Sequence, residues 1–267
     1  MAILSKLQPG NVFHYFEEIC NIPHGSGNVE KISHYLAAFA EERGLEYYQD
    51  KLYNIIIIKE ASDGYEDQEP IILQGHMDMV AVKRSDSSIN METEGLQLKI
   101  DGDEIYAEGT SLGGDDGVAV AYALALLSDD TIKHPKLEVI LTVDEETGME
   151  GAAGIDLSML TGHRMINLDS EDEGIFLASC AGGARVKCSL PVTRQNREGT
   201  VYSVSVGGLL GGHSGGEIHK ERANSNILMG RLLSGIPESC DAAIAELSGG
   251  LADNAIAREP NAVLMIE

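Results

Sequence analysis

The stretch Gly75-His76-Met77-Asp78-Met79-Val80 carries a histidine and an aspartate two positions apart. On an extended strand, residues two apart share a face, so His76 and Asp78 are expected to point the same way. An imidazole nitrogen binds a divalent ion, and a nearby carboxylate fixes the ring or the site geometry. Three acidic clusters follow: Gly113-Gly114-Asp115-Asp116-Gly117, Asp144-Glu145-Glu146-Thr147-Gly148 and Asn167-Leu168-Asp169-Ser170-Glu171-Asp172. Each has a plainer reading by itself. His76 can be a strand-end histidine held by a local hydrogen bond. Asp115 and Asp116 can be helix caps that favour the dipole, and the other acids can be solvated turns. Crowded acids at a strand end are nevertheless costly unless a cation or solvent screens them.

The elements that must position these groups are short and apolar. Ile71-Ile72-Leu73, after Pro70, reads as a buried strand running to Gly75. Leu137 to Val143 reads as a strand ahead of Asp144, and Met165-Ile166 as an apolar segment ahead of Asn167. Val118 to Leu127 is Ala/Leu-rich and reads as a helix behind Asp115 and Asp116. Every cluster therefore sits at a strand end or a helix start. In an open α/β sheet such loops gather at the carboxyl edge of the strands, where ligands bind. A histidine, a bridging aspartate and further carboxylates there could hold two divalent ions roughly 3.5–4 Å apart. Glu145 would be left to take a proton from a metal-bound water. That chemistry is metal-assisted hydrolysis.

Elsewhere, Asn11 to Cys20 and Val29 to Arg43 show helical spacing, with the turn Gly25-Ser26-Gly27-Asn28 offering an N-cap and Gly44 ending the second helix. Tyr53 to Ile58 is a β-branched run, hence a strand, and Leu96 to Tyr106 reads as a hairpin around Asp101-Gly102-Asp103. The pattern changes from Ala184 onward. Strands are expected over Arg185 to Leu190 and Thr200 to Val206, then a glycine-rich loop from Gly207 to Gly216 and a helix from Ser225 to Leu233. The expected organisation is a metal-binding α/β domain over residues 1–183 and the start of an α+β domain over 184–267.

Composition removes other classes. The formal charge of −24, from 43 acidic against 19 basic residues, argues against a nucleic-acid partner, which needs a basic footprint. No apolar run reaches about 18 residues, so no membrane span is expected. The N-terminus shows no long apolar signal region, and Cys20, Cys180, Cys188 and Cys240 lack CxxC spacing. Reduced thiols in a cytoplasmic protein are the expectation.

The four motifs, Gly-His-Met-Asp-Met-Val, Ser-Leu-Gly-Gly-Asp-Asp-Gly-Val-Ala, Asp-Glu-Glu-Thr-Gly-Met-Glu-Gly and Asn-Leu-Asp-Ser-Glu-Asp, resemble those of the carnosinase/aminoacylase-like di-zinc exopeptidases. The resemblance runs from Ile22-Pro23-His24-Gly25-Ser26-Gly27 to Gly211-Gly212-His213-Ser214-Gly215, nearly the whole chain. It implies a mixed-sheet catalytic domain carrying an α+β lid through which homodimers often form. It also implies two zinc ions, with manganese or cobalt also accepted by carboxylate-rich sites. His76 would ligate the first ion, with Asp78 orienting it, and Asp115 would bridge both across a cis peptide bond to Asp116. Asp169 would complete the first site, Glu146 would serve the second, and Glu145 would be the general base. His213 would be the lid histidine that stabilises the charged intermediate oxygen. The implied reaction is hydrolysis of dipeptides of the aminoacyl-histidine (Xaa-His) type.

One departure matters. In that family a histidine from beyond the lid completes the second zinc site, whereas here no histidine follows His219 and the chain ends at Glu267. The expectation is the N-terminal portion of a longer enzyme, with the second site short of one ligand. A non-catalytic metal- or peptide-binding remnant is the alternative. A more distant one is a serine hydrolase, because Gly212-His213-Ser214-Gly215-Gly216 spells G-x-S-x-G around Ser214.

Overall fold

A computed structural model describes residues 2–170, 174–179, 182, 184, 186–237, 239–252 and 254–267. The chain divides into two compact units, Met1–Ser179 and Cys180–Glu267. In the first, α1 (Gly10–Cys20) and α2 (Glu30–Glu42) precede β1 (Glu46–Gln49), β2 (Ile55–Lys59) and β3 (Ile71–His76). A separate hairpin of β4 (Leu98–Asp101) and β5 (Glu104–Ala107) leads to α3 (Gly114–Ser128). Then come β6 (Leu137–Thr142), the short helices α4 (Glu145–Gly148) and α5 (Glu150–Gly154), and β7 (Arg164–Asn167).

Five strands form one mixed sheet in the order β1-β2-β6-β3-β7. β2 runs antiparallel to β1 and β6, while β3 runs parallel to both β6 and β7. A sheet covered on both faces requires strands apolar on both faces, and β2 has that composition. Ile55 and Ile57 join the larger core with Leu73, Val139, Leu141 and side chains of α1, α2 and α3. Ile56 and Ile58 face the other way, against Ile72 and Ile140. α3 is apolar nearly all round because it is sandwiched, with Val120, Ala121 and Leu124 fully buried.

α2 ends as its sequence requires. The Gly44 N–H donates to Glu41 O at 3.0 Å and the Leu45 N–H to Ala40 O at 3.0 Å, with Gly44 at φ +63°. A Cβ at Gly44 would meet nothing within 4 Å. Gly44→Ala should therefore cost about 1–2 kcal/mol by conformation alone, read as a lower urea midpoint with an unchanged slope. The other end of α2 differs from expectation. Val29 occupies the N-cap with no side-chain bond, and Asn28 Nδ2 instead donates to Glu92 O at 3.0 Å. Asn28 is turned away because its own N–H closes a tight turn on Gly25 O at 2.8 Å.

The second unit holds β8 (Thr200–Ser205), α6 (Ser225–Ser234), β9 (Ala242–Ser248) and β10 (Asn261–Ile266). Its sheet is antiparallel in the order β8-β10-β9. Asn224 caps α6, its side chain accepting from the Asn226 and Ile227 N–H groups. The strand expected over Arg185 to Leu190 is not found. Arg185 lies outside the described residues, and 186–190 carry no strand. A strand needs a partner for its backbone groups, and the partner that β8 takes is β10, far along the chain. Cys180, Gly183 and the acids Glu171 and Asp172 of the last motif also lie outside the described residues. Cys20, Cys188 and Cys240 form no disulfide.

Candidate metal centre

β3, β6 and β7 are parallel neighbours, so the segments leaving their carboxyl ends emerge along one edge. His76 ends β3 opposite Thr142, which ends β6, and Gln74 pairs with Asn167, which ends β7. The start of α3 is brought to the same edge by a close approach at Gly75. A Cβ there would lie 2.6 Å from Asp116 Oδ2 and 2.8 Å from Ala119 Cβ. Asp115 and Asp116 carry non-helical backbone angles, and the peptide bond between them is cis.

His76 is the centre of the arrangement. Its side chain is buried, with Nδ1 2.9 Å from Asp78 O and 3.5 Å from Asp78 Oδ1. A carbonyl oxygen only accepts, so Nδ1 carries a proton, and Nε2 is the nitrogen that faces the acids and would be offered to a cation. Nε2 lies 3.1 Å from Asp115 Oδ1 and 4.0 Å from both Glu145 Oε2 and Asp169 Oδ2. Donor atoms of His76, Asp115 and Glu146 lie within 4.8 Å of one another, as do those of His76, Glu145 and Asp169. An ion with tetrahedral bonds of roughly 2.0–2.1 Å needs donors roughly 3.3 Å apart, so the donor set fits a divalent cation. Asp78, Asp115, Glu145, Glu146 and Asp169 are thus gathered about His76. The geometry puts Glu145 as well as Glu146 within ligand reach and does not by itself divide their roles.

The comparisons with known proteins meet at this same segment. Residues 72–184 match peptidase family M20/M25/M40. The cytosol non-specific dipeptidase of Escherichia coli (strain K12) is 39% identical over 268 residues, covering 100% of this chain and 55% of that protein. The crystal structure of aminoacylhistidine dipeptidase from Vibrio alginolyticus superposes with a TM-score of 0.68 at 34% identity, over 98% of this chain and 54% of that one. The segment matched to the M20/M25/M40 family carries His76, Asp78, Asp115, Glu145, Glu146 and Asp169. A Staphylococcus aureus tripeptidase, at 18% identity and a TM-score of 0.53 over 95% of this chain and 65% of its own, shares the fold. The chain spans about half the length of the E. coli and Vibrio relatives.

The electrostatics of this centre show a surplus of acid. Burial opposes the charged imidazole of His76, but Asp78, Asp116 and Asp169 outweigh it and bring the pKa up to about 10. Burial also pushes the Asp116 carboxyl up to about 7, with Asp169 and Asp115 adding to it against the bond from His76. The Glu145 and Glu146 carboxyls are raised as well, first by burial and then by neighbouring acids. Asp78 alone moves down: burial works against its charge, but bonds from His76, Ser26 and the Glu145 N–H prevail. A bound cation supplies the positive charge such a set lacks.

Asp116 escaped sequence reasoning except as the neighbour of Asp115. It is buried, and its Oδ2 accepts the His76 N–H at 3.1 Å, joining α3 to the end of β3. Asn54, buried under the β6 loop, also carried no signal. Its Oδ1 accepts the Val143 N–H and its Nδ2 donates to Gly151 O, bracketing the segment that bears Glu145 and Glu146.

His213 and Ser214 belong to the second unit. His213 Nδ1 accepts the N–H groups of Gly215 and Gly216 at 3.1 and 2.9 Å, so Nε2 carries the proton. Ser214 sits in a turn, its N–H donating to Asn254 O at 2.8 Å. β8 ends back at Ser205, and the element after the motif is a three-residue 3₁₀ turn, Ile218–Lys220. The strand-to-helix elbow of a serine hydrolase is not formed.

Proposed function

We propose that this protein takes part in metal-dependent hydrolysis of dipeptides at the edge formed by β3, β6 and β7. The observation that carries this is the position of His76 in two donor sets, one with Asp115 and Glu146 and the other with Glu145 and Asp169. In our assignment His76, Asp115 and Asp169 would hold one ion, and Asp115 with Glu146 would hold a second. Zinc suits a nitrogen-plus-carboxylate set, and manganese or cobalt are the alternatives. When bound, the ions supply Lewis acidity and lower the pKa of water.

The chain's own residues do the rest. Glu145 takes the proton of the attacking water and returns it to the leaving amine, a task suited to a carboxyl raised above its ordinary value. Asp78 keeps the His76 Nδ1 proton in place, so that Nε2 remains a ligand. His213, with its proton on Nε2, donates to the carbonyl oxygen as it gains charge. Residues 1–183 act as the metal-binding catalytic part and 184–267 as a lid and homodimer face. The names of the E. coli and Vibrio relatives make an Xaa-His dipeptide the first substrate to test and the cytoplasm the compartment to examine.

A second reading, metal binding without turnover, is favoured by one observation. His76 is the only nitrogen ligand in either donor set among the described residues. Equilibrium dialysis of zinc, with hydrolysis of β-alanyl-histidine followed on the same sample, separates the two. Two ions with chelator-sensitive turnover support the dipeptidase. Ions without turnover support the second reading. Turnover blocked by a serine-directed phosphonate and indifferent to chelators overturns both.

A further inference from the structure

The loop between α1 and α2 holds none of the ligand candidates, yet it is fastened to the metal-centre segments at several points. Its backbone pairs with the residue after Asp78: the Met79 N–H donates to His24 O and the Ser26 N–H to Met79 O, both at 3.2 Å. This approach depends on Gly25, where a Cβ would fall 2.6 Å from Ala81 Cβ. The Gly27 N–H then donates to Asp144 Oδ1 at 2.7 Å, gripping the residue before Glu145. Ser26 makes the remaining link. Its Oγ donates to Asp78 Oδ2 at 2.8 Å.

The Asp78 carboxylate is fully buried, so each of its oxygens must be satisfied from within the protein. Oδ1 accepts the Glu145 N–H at 3.1 Å and lies 3.5 Å from His76 Nδ1. Oδ2 receives the Ser26 hydroxyl. With one oxygen pinned by Ser26, the carboxylate plane is fixed, and with it the oxygen that faces the imidazole. We infer that Ser26 is a positioning residue for the metal centre, acting through Asp78 to fix the direction in which His76 presents Nε2 and the place of the Glu145 backbone. This rests on the metal-binding reading above and adds to it a residue on a different segment, fifty-odd positions upstream of Asp78.

Removing the hydroxyl leaves the loop's backbone bonds in place, so Ser26→Ala should fold. Its zinc affinity, measured on the full chain by competition with a chromophoric chelator, should fall about 10–100-fold, the range for losing an outer partner of a ligand. The visible absorption spectrum of the cobalt-loaded variant should shift from that of the wild type. Ser26→Thr, which keeps the hydroxyl, should restore both. Asn28→Ala serves as the control, because Asn28 tethers the same loop to Glu92 O without touching Asp78. It should lower the thermal midpoint at most and leave zinc affinity unchanged. Wild-type affinity and an unshifted cobalt spectrum in Ser26→Ala, or an equal loss in Asn28→Ala, overturns the assignment while the metal-binding reading stands. A wild-type chain that binds neither zinc nor cobalt removes that reading and this one together.

Discussion

Asp115→Asn is expected to abolish high-affinity divalent-ion binding while leaving the fold intact. The Asp115 carboxylate is more than half exposed and lies 3.1 Å from His76 Nε2, so replacing it with the isosteric amide opens no cavity. The substitution removes a negative charge from a group that also holds Asp116, Glu145, Glu146 and Asp169. Without metal, the variant should therefore be at least as stable as the wild type, because like charges at close range destabilise the folded state. With zinc the order should reverse. At an ion concentration about 100 times Kd the wild type gains about 2.7 kcal/mol, and a variant that cannot bind gains nothing. Affinity should fall by more than the roughly 10–100-fold seen for outer partners, since Asp115 is assigned as a direct ligand of both ions. Any dipeptide hydrolysis by the wild type should drop about 1000-fold, equivalent to several kcal/mol of lost charge stabilisation. Thermal melts with and without zinc, beside a zinc titration, check both signs. A variant that melts lower without metal and still gains midpoint with it would refute the assignment.

The second large effect is expected at Gly75. Alanine there would place a methyl carbon 2.6 Å from Asp116 Oδ2 and 2.8 Å from Ala119 Cβ, both under any real contact distance. α3 must move off β3, at a cost of about 1–3 kcal/mol. The displacement also withdraws Asp116 from the His76 N–H and alters the spacing between His76 and Asp115, so zinc binding should weaken as well. Gly44→Ala provides the contrast, with comparable chemistry in open space and no route to the centre. Gly75→Ala should lose midpoint and zinc affinity together, and Gly44→Ala should lose midpoint alone. Equal zinc affinity in the two variants would show that the β3–α3 contact does not shape the site.

What could be foreseen from the sequence was the part written locally. A run such as Ile55-Ile56-Ile57-Ile58 admits little except a strand buried on both faces, and apolar segments running to Gly75, to Val143 and to Ile166, each just ahead of a motif, announce a common edge. The gathering of six candidate residues from four motifs followed from that edge. The second sheet was poorly legible for a physical reason. β9 is Ala-Ala-Ile-Ala-Glu-Leu-Ser, a composition with helical preference, and becomes a strand only through pairing with β10. The same non-local choice took the pairing of β8 away from residues 186–190. Asp116 and Ser26 went unassigned because their partners, His76 and Asp78, stand 40 and 52 positions away, beyond the reach of any local pattern.

The donors at the candidate metal centre come from segments that begin at position 76 and end at position 169, and parallel pairing of β3, β6 and β7 with the packing of α3 on Gly75 brings them together. Such contacts are late acquisitions for a folding chain, since β3 must meet β6 and β7 across long intervening loops before any second ligand is in reach. An ion that binds only the assembled set of donors would find no site in the unfolded chain. Such an ion would act as a clasp on the finished structure. If its effect falls on the rate at which the native state opens, metal supply would set how long the folded molecule lasts.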